Sequence, residues 1–133
     1  MLEFCYNQDW CLPGEIPRRV QDLFEAGKVA HAAETYQNYL GVNARASLAN
    51  YVRTIGEHIL PLVQTAPRIS RIVKERIEDA QNDGIVALEL RFAPQNHTAG
   101  GLSLTGVMEA VIAGISAGSM PVKLIVCALR HQS

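Results

Sequence analysis

The chain has 133 residues, of which 48% are hydrophobic and 19% are charged, and its formal net charge is −1 at pH 7. This composition indicates a globular protein with one sizeable core. The near-neutral balance gives no electrostatic reason to expect nucleic acid or a membrane surface as a partner.

Hydropathy and cysteine usage indicate in which cellular compartment the protein is expected. Residues 107–115 and 122–129 are the longest mostly apolar stretches, and both are shorter than the roughly 20 residues of a membrane span. Residues 1–10 lack the basic and apolar runs of a signal peptide. The three cysteines, Cys5, Cys11 and Cys127, show no paired spacing, which is typical of reduced thiols. We therefore expect a cytoplasmic protein without a membrane span.

The first part of the chain combines one strand pattern with helical patterns. Residues 1–12 include a short apolar and aromatic stretch that we interpret as a first strand, and residues 13–83 are predicted to be helical. Ser47 is a good N-cap for a helix that Pro61 kinks or ends. The apolar positions of that helix are Leu48, Val52, Ile55 and Ile59.

The clearest amphipathic helix follows Thr65, with Pro67 in its first turn and Gly84 just beyond its end. Its apolar stripe consists of Ile69, Ile72, Val73, Ile77 and Ala80.

Residues 84–133 have the pattern of a strand, a helix and a second strand. Residues 85–92 are predicted to form the strand before this helix, and Pro94 ends it. Residues 97–101 are predicted to form a loop. Ser103 is expected to cap a helix that Gly118 closes, and residues 122–129 form the second apolar strand. Short connections around one helix imply a parallel pair of strands. The apolar positions of the helix are Val107, Val111, Ile112 and Ile115.

The first of these strands carries two charges on one face. Val86, Leu88, Leu90 and Phe92 alternate with Ile85, Ala87, Glu89 and Arg91. If the bulky apolar set meets the helices, Glu89 and Arg91 face the other side, where buried charges need partners. Two interpretations stay open: a structural ion pair, or residues that line or brace an active site.

Residues 81–95 carry a family resemblance. They read Gln-Asn-Asp-Gly-Ile-Val-Ala-Leu-Glu-Leu-Arg-Phe-Ala-Pro-Gln, which closely resembles the Asp-Gly-Val-x-Tyr-x-Glu-Leu-Arg-Phe-Ala-Pro-Gln segment of the adenosine deaminase family. The pattern continues through His97-Thr98, the Gly-Leu-Ser-Leu at 101–104, the helix around 109–111 and residues 124–131. Residues 47–65 are similar to the helical insertion that precedes this segment in the family. About 85 of the 133 residues take part.

The resemblance implies an α/β fold, a partial TIM (β/α)8-type barrel. The chain would form the first few β/α units, with a helical insertion after the first strand, as one incomplete domain over residues 1–133. The family's chemistry is hydrolytic replacement of the 6-amino group of a purine nucleoside or base. A bound zinc ion, expected for the family, lowers the pKa of its water to about 7 and supplies the nucleophile.

The first strand departs from the family pattern. Family members have two zinc-binding histidines there, and in this chain Cys5 and Asn7 occupy those positions. A neutral amide is a poor substitute for imidazole. Asp9 stands where the family has an aspartate close to the substrate. A zinc site from Cys5, Cys11 and a histidine is an alternative, although this spacing is unusual. We expect no zinc on this chain alone.

The other catalytic groups of the family lie in later strands, and an eight-stranded barrel takes about 250 residues. We therefore assign no catalytic residue here and expect the isolated chain to be inactive. Two histidines follow strand ends and are candidate loop sites, His97 and His131.

The sequence thus predicts a truncated or degenerate N-terminal portion of an adenosine-deaminase-like hydrolase. The alternatives are a non-catalytic assembly module and one half of a composite enzyme. A few parallel strands leave open edges, so we expect self-association or a complementary chain.

Overall fold

The structure, a computed structural model, describes residues 47–130. These residues belong to two compact units, one containing residues 47–62 and the other residues 63–130. No helix within this part of the chain is long and apolar enough to cross a membrane. The predicted first strand at residues 1–12 lies outside the described residues. The prediction of one incomplete domain over residues 1–133 stays a prediction.

Residues 47–62 form a short helix whose geometry changes along its length. Helix α1 spans Leu48–Thr54, continues as a π-helical turn over Ile55–Ile59 and ends in a 3₁₀ turn over Leu60–Leu62. Ser47 Oγ accepts a hydrogen bond from the Asn50 N–H at 3.1 Å, which confirms the predicted N-cap. Of the apolar positions of this helix, Leu48 and Val52 are exposed, whereas Ile59 is 6% exposed. The π turn adds a residue and places the positions beyond it on another face.

Helix α2 spans Ala66–Asn82 and confirms the predicted amphipathic helix. Gly84 has a φ of 79°, and the backbone N–H of Gly84 and of Ile85 donate to the Gln81 and Ala80 carbonyls, so a Schellman motif ends the helix. All five predicted stripe residues are at most 3% exposed: Ile69, Ile72, Val73, Ile77 and Ala80.

The strand–helix–strand prediction is confirmed. Strand β1 spans Leu88–Phe92, helix α3 spans Leu104–Ser116 and strand β2 spans Val122–Val126. The strands pair in parallel, with Leu88 opposite Val122 and Phe92 opposite Val126. Ser103 Oγ accepts from the Gly106 N–H at 3.0 Å and caps α3 as predicted. The described residues therefore have an α/β fold with a two-stranded parallel sheet.

Both strands are shorter than predicted. Residues 85–87 precede β1, and Val86 is 83% exposed instead of facing the helices. Pairing begins where the Leu88 N–H donates to the Pro121 carbonyl at 3.0 Å, so residues before this point have no opposite strand. Residues 127–129 lie beyond the end of β2, because β1 gives way to a turn after Phe92. Cys127, the first residue after β2, is half-buried.

The core lies between one face of the sheet and the two helices α2 and α3. Leu90 and Phe92 are 5% and 0% exposed, as the strand alternation predicts, whereas Glu89 and Arg91 on the opposite face are exposed. Gly114 allows the two helices to approach closely, since a Cβ there would lie 2.7 Å from Val73 Cβ.

Helix α3 has an apolar arc wider than its packed side. Val107, Ala110, Val111 and Gly114 are buried. Leu104 and Ile112, two further apolar residues of this helix, are 52% and 51% exposed. Both lie on an arc adjacent to the buried one, which the sheet and α2 do not reach.

Candidate functional site

The two strands end at one edge of the sheet, and the chain that leaves β1 forms a compact turn there. A 3₁₀ turn spans Pro94–His97, and the Cys127 N–H donates to the Phe92 carbonyl at 2.8 Å. In parallel α/β folds, the carboxyl ends of the strands and the loops that follow them carry binding and catalytic groups. Residues 94–103 are therefore the part of the described chain where a site is expected.

His97 is the residue of this turn with the most constrained environment. The predicted position of His97 is a loop, but its side chain is completely buried in the 3₁₀ turn. Its Nδ1 lies 3.0 Å from the Val63 carbonyl oxygen. A carbonyl can only accept, so Nδ1 carries the proton and Nε2 holds a lone pair. Nε2 is buried and has no hydrogen-bond partner in the described part of the chain.

Burial lowers the pKa of His97 below its ordinary value of 6.5, and the hydrogen bond to Val63 opposes this effect. The Phe92 ring, whose centroid lies 6.5 Å from that of the imidazole, adds to the apolar surroundings. His97 is therefore neutral at neutral pH.

Gln64 is a second residue at this site, and it was not among the predicted site residues. Its Nε2 donates to the Asn96 carbonyl at 2.8 Å, and its Oε1 accepts from the Gly100 N–H at 3.3 Å. The amide thus joins both ends of the loop to the segment that precedes α2. No local pattern signals a contact between residues more than thirty positions apart.

The charged face of the sheet lies on the side away from the helices. Glu89 is the register partner of Lys123 and Arg91 that of Ile125, so these four side chains share one face. Glu89, Arg91 and Lys123 are exposed. Among the described residues, neither Glu89 nor Arg91 forms an ion pair, so they do not pair with each other.

Most other predicted site residues lie outside the described range. These residues are Cys5, Asn7, Asp9, Cys11 and His131. Residues 47–130 contain no group of three or more His, Cys, Asp or Glu side chains that could hold a metal ion. The donors present in this part of the chain therefore do not fit a zinc site.

Comparison with known proteins identifies the family. The family model described as adenosine deaminase matches residues 9–133. The chain is 34% identical over 112 residues to an adenosine deaminase of Mycolicibacterium gilvum, which covers 77% of this chain and 31% of that protein. It is 38% identical over 94 residues to one of Mycobacteroides abscessus, covering 64% of this chain and 26% of that protein.

A probable adenosine deaminase of Dictyostelium discoideum is 41% identical over 135 residues, covering 98% of this chain and 15% of that protein. The chain thus spans a third or less of the length of these curated relatives, and the match is to their N-terminal portion. Since the family model matches nearly all of its residues, this chain belongs to the adenosine deaminase family.

Proposed function

We propose that this chain builds the first β/α units of a (β/α)8 barrel in a hydrolytic deaminase that acts on a purine nucleoside or base. The single observation that carries the proposal is the parallel β1–α3–β2 unit in a chain of this family. Parallel strands joined by a helix, with helices on one face, are the repeating unit of such barrels. The helical region before α2 is then an insertion after the first strand.

In this arrangement the uncovered face of the sheet turns toward the barrel interior. Glu89, Arg91 and Lys123 lie on that face and have no ion-pair partners within residues 47–130. A barrel interior is packed, so these charges need partners from neighbouring strands. Of the two interpretations, we favour the structural one, in which Glu89 and Arg91 form ion pairs with interior groups from neighbouring strands.

The proposed reaction exchanges the exocyclic amino group of the purine for the oxygen of water and releases ammonia. The family's reaction uses a zinc-activated water. Cys5 and Asn7 would stand at two of its ligand positions, and an amide is a poor zinc ligand. We derive no metal-dependent step for this chain, and Asp9 is proposed only as a substrate contact. We expect no turnover from this chain alone. We also propose a cytoplasmic location, because the three cysteines show no paired spacing.

The proposal requires other β/α units beside those of residues 63–130. The exposed apolar arc of α3, with Leu104 and Ile112 half-exposed, supports this requirement. No third strand covers the sheet edges among the described residues. Parallel sheets are usually buried on both faces. The exposed arc of α3 and the open sheet edges also favour the second candidate function, a non-catalytic assembly module.

An assay of adenosine hydrolysis distinguishes the two functions. The purified chain is mixed with the separately expressed part of the Mycolicibacterium gilvum adenosine deaminase that lies outside the match, and formation of inosine is followed by ultraviolet absorbance. We expect no turnover from either piece, and turnover from the mixture would support the deaminase. A stable complex without turnover would favour the assembly module. Turnover by the isolated chain would overturn the proposal of an incomplete site.

A further inference from the structure

The loop after β1 is held by three hydrogen bonds to the segment Val63–Gln64. His97 Nδ1 donates to the Val63 carbonyl, and the Gln64 amide bonds to Asn96 and Gly100. The loop also packs tightly there, since a Cβ on Gly100 would lie 2.6 Å from the Gln64 carbonyl oxygen. We refer to the contact between His97 and Val63 as the His97 latch.

The His97 latch requires the neutral imidazole with its proton on Nδ1. Its Nδ1 already carries a proton, so a second proton can only bind at Nε2. That nitrogen is buried without an acceptor among the described residues. Protonation would therefore bury a charged donor that has no hydrogen-bond acceptor among the described residues, which strongly disfavours the closed loop.

Nearby charges do not offset this penalty. Within residues 47–130, the elements packed against the turn are α3, β1 and the segment Val63–Gln64, and the positive charge of the chain's amino terminus lowers the pKa of His97 further. The titratable side chain of α3 is that of Glu109, which is exposed on a face that does not contact the core. Those of β1 are Glu89 and Arg91, and they lie on the opposite face of the sheet from Phe92. The segment Val63–Gln64 contains none.

We propose that the His97 latch is a proton-sensitive device, in which protonation of His97 at Nε2 releases the loop after β1 from Val63. The loop is then fixed at neutral pH and opens in mild acid, while the helices α2 and α3 remain packed. The proposal stands on residues 63–130 alone and does not depend on the deaminase function.

The direction of the pH dependence follows from linkage. Because burial lowers the pKa of His97 in the closed state, the open state binds the proton more readily. The closed loop is fully stable above the ordinary pKa of 6.5 and loses stability as the pH falls toward the lowered value. Within that window the ratio of open to closed loop rises by about tenfold per pH unit, as expected for one proton.

Two variants of the complete chain separate the roles of the two ring nitrogens. The amide nitrogen of His97→Asn can replace Nδ1 as the donor to Val63 and does not titrate. The amide of His97→Gln reaches the position of Nε2 and leaves Val63 without its donor. Amide hydrogen exchange is measured between pH 4.5 and 7.5 and corrected for intrinsic rates, and α2 serves as the internal reference.

We expect the wild-type loop to lose protection in acid, His97→Asn to keep it across the range, and His97→Gln to lack it throughout. Two-bond ¹H–¹⁵N spectra of the wild-type chain give an independent readout. They should show the Nδ1–H tautomer at neutral pH and a lowered pKa. An Nε2–H tautomer, an ordinary pKa, or titration of His97 without loss of loop protection would each overturn the proposal, whether or not the variants fold.

Discussion

Gly114 of α3 lies so close to Ser70 of α2 that a Cβ on Gly114 would stand 2.6 Å from the Ser70 carbonyl oxygen. A backbone oxygen cannot move aside as the end of a long side chain can. This approach sets the distance between the two helices that cover the sheet.

Gly114→Ala should therefore destabilise the chain by about 1–3 kcal/mol, since the helices must separate to admit the methyl group. The matched control is Gly106→Ala in the same helix, where the nearest heavy atom would be at an ordinary 3.4 Å. That change should be neutral or stabilising by up to about 1 kcal/mol through helix propensity. Urea denaturation measures both, and equal effects would contradict the close packing.

The N-caps of α2 and α3 should differ in their contribution to stability. Ser103→Ala removes the acceptor of the Gly106 N–H and should cost about 1 kcal/mol. Thr65 occupies the N-cap of α2 but its side chain makes no cap hydrogen bond, so Thr65→Ala should cost less than about 0.5 kcal/mol. Thermal unfolding followed by circular dichroism tests the order, and a larger loss at Thr65 would be inconsistent with it.

Truncating a side chain on the buried face of β1 should reduce stability, whereas truncating one on the exposed face should reduce turnover of the reconstituted mixture. Leu90 is buried, so Leu90→Ala should destabilise the isolated chain by about 2–5 kcal/mol. Arg91 is exposed, and Arg91→Ala should change that stability by less than about 0.5 kcal/mol. In the reconstituted mixture, Arg91→Ala should nevertheless reduce adenosine turnover. Full turnover with Arg91→Ala would argue against an interior position for this face.

The exposed arc of α3 should matter only when the chain is assembled. Ile112→Glu places a charge on that arc. It should weaken binding of the Mycolicibacterium gilvum segment used in the reconstitution assay at least tenfold, since an unpaired charge is costly to bury. Ala113→Glu is the control, because it adds the same charge at the adjacent exposed position. Isothermal titration calorimetry measures both, and equal affinities would exclude the arc from the interface.

Sequence patterns predicted the elements whose signals are local. The stripe from Ile69 to Ala80 follows helical periodicity, and Ser103 bonds to a backbone group three residues away, so both could be read along the chain. The alternation along β1 likewise placed Leu90 and Phe92 on the packed face and Glu89 and Arg91 on the other.

The other features depend on contacts between distant residues. The strand ends are set by the start of pairing at Pro121 and by the turn after Phe92. The burial of His97 rests on a bond to Val63, 34 residues away. Periodicity also could not show which half of the wide apolar arc of α3 is covered, and Ile112 lies on the exposed half.

Sedimentation velocity of the purified chain over a range of concentrations tests most directly whether this parallel unit is an incomplete barrel wall. The strand edges left open among residues 47–130 and the exposed arc of α3 predict association into dimers or larger species. Adding the part of the Mycolicibacterium gilvum protein outside the match should reverse this association. A single monomeric species at all concentrations that also unfolds cooperatively would show that the unit needs no further strands, and would contradict the proposed barrel.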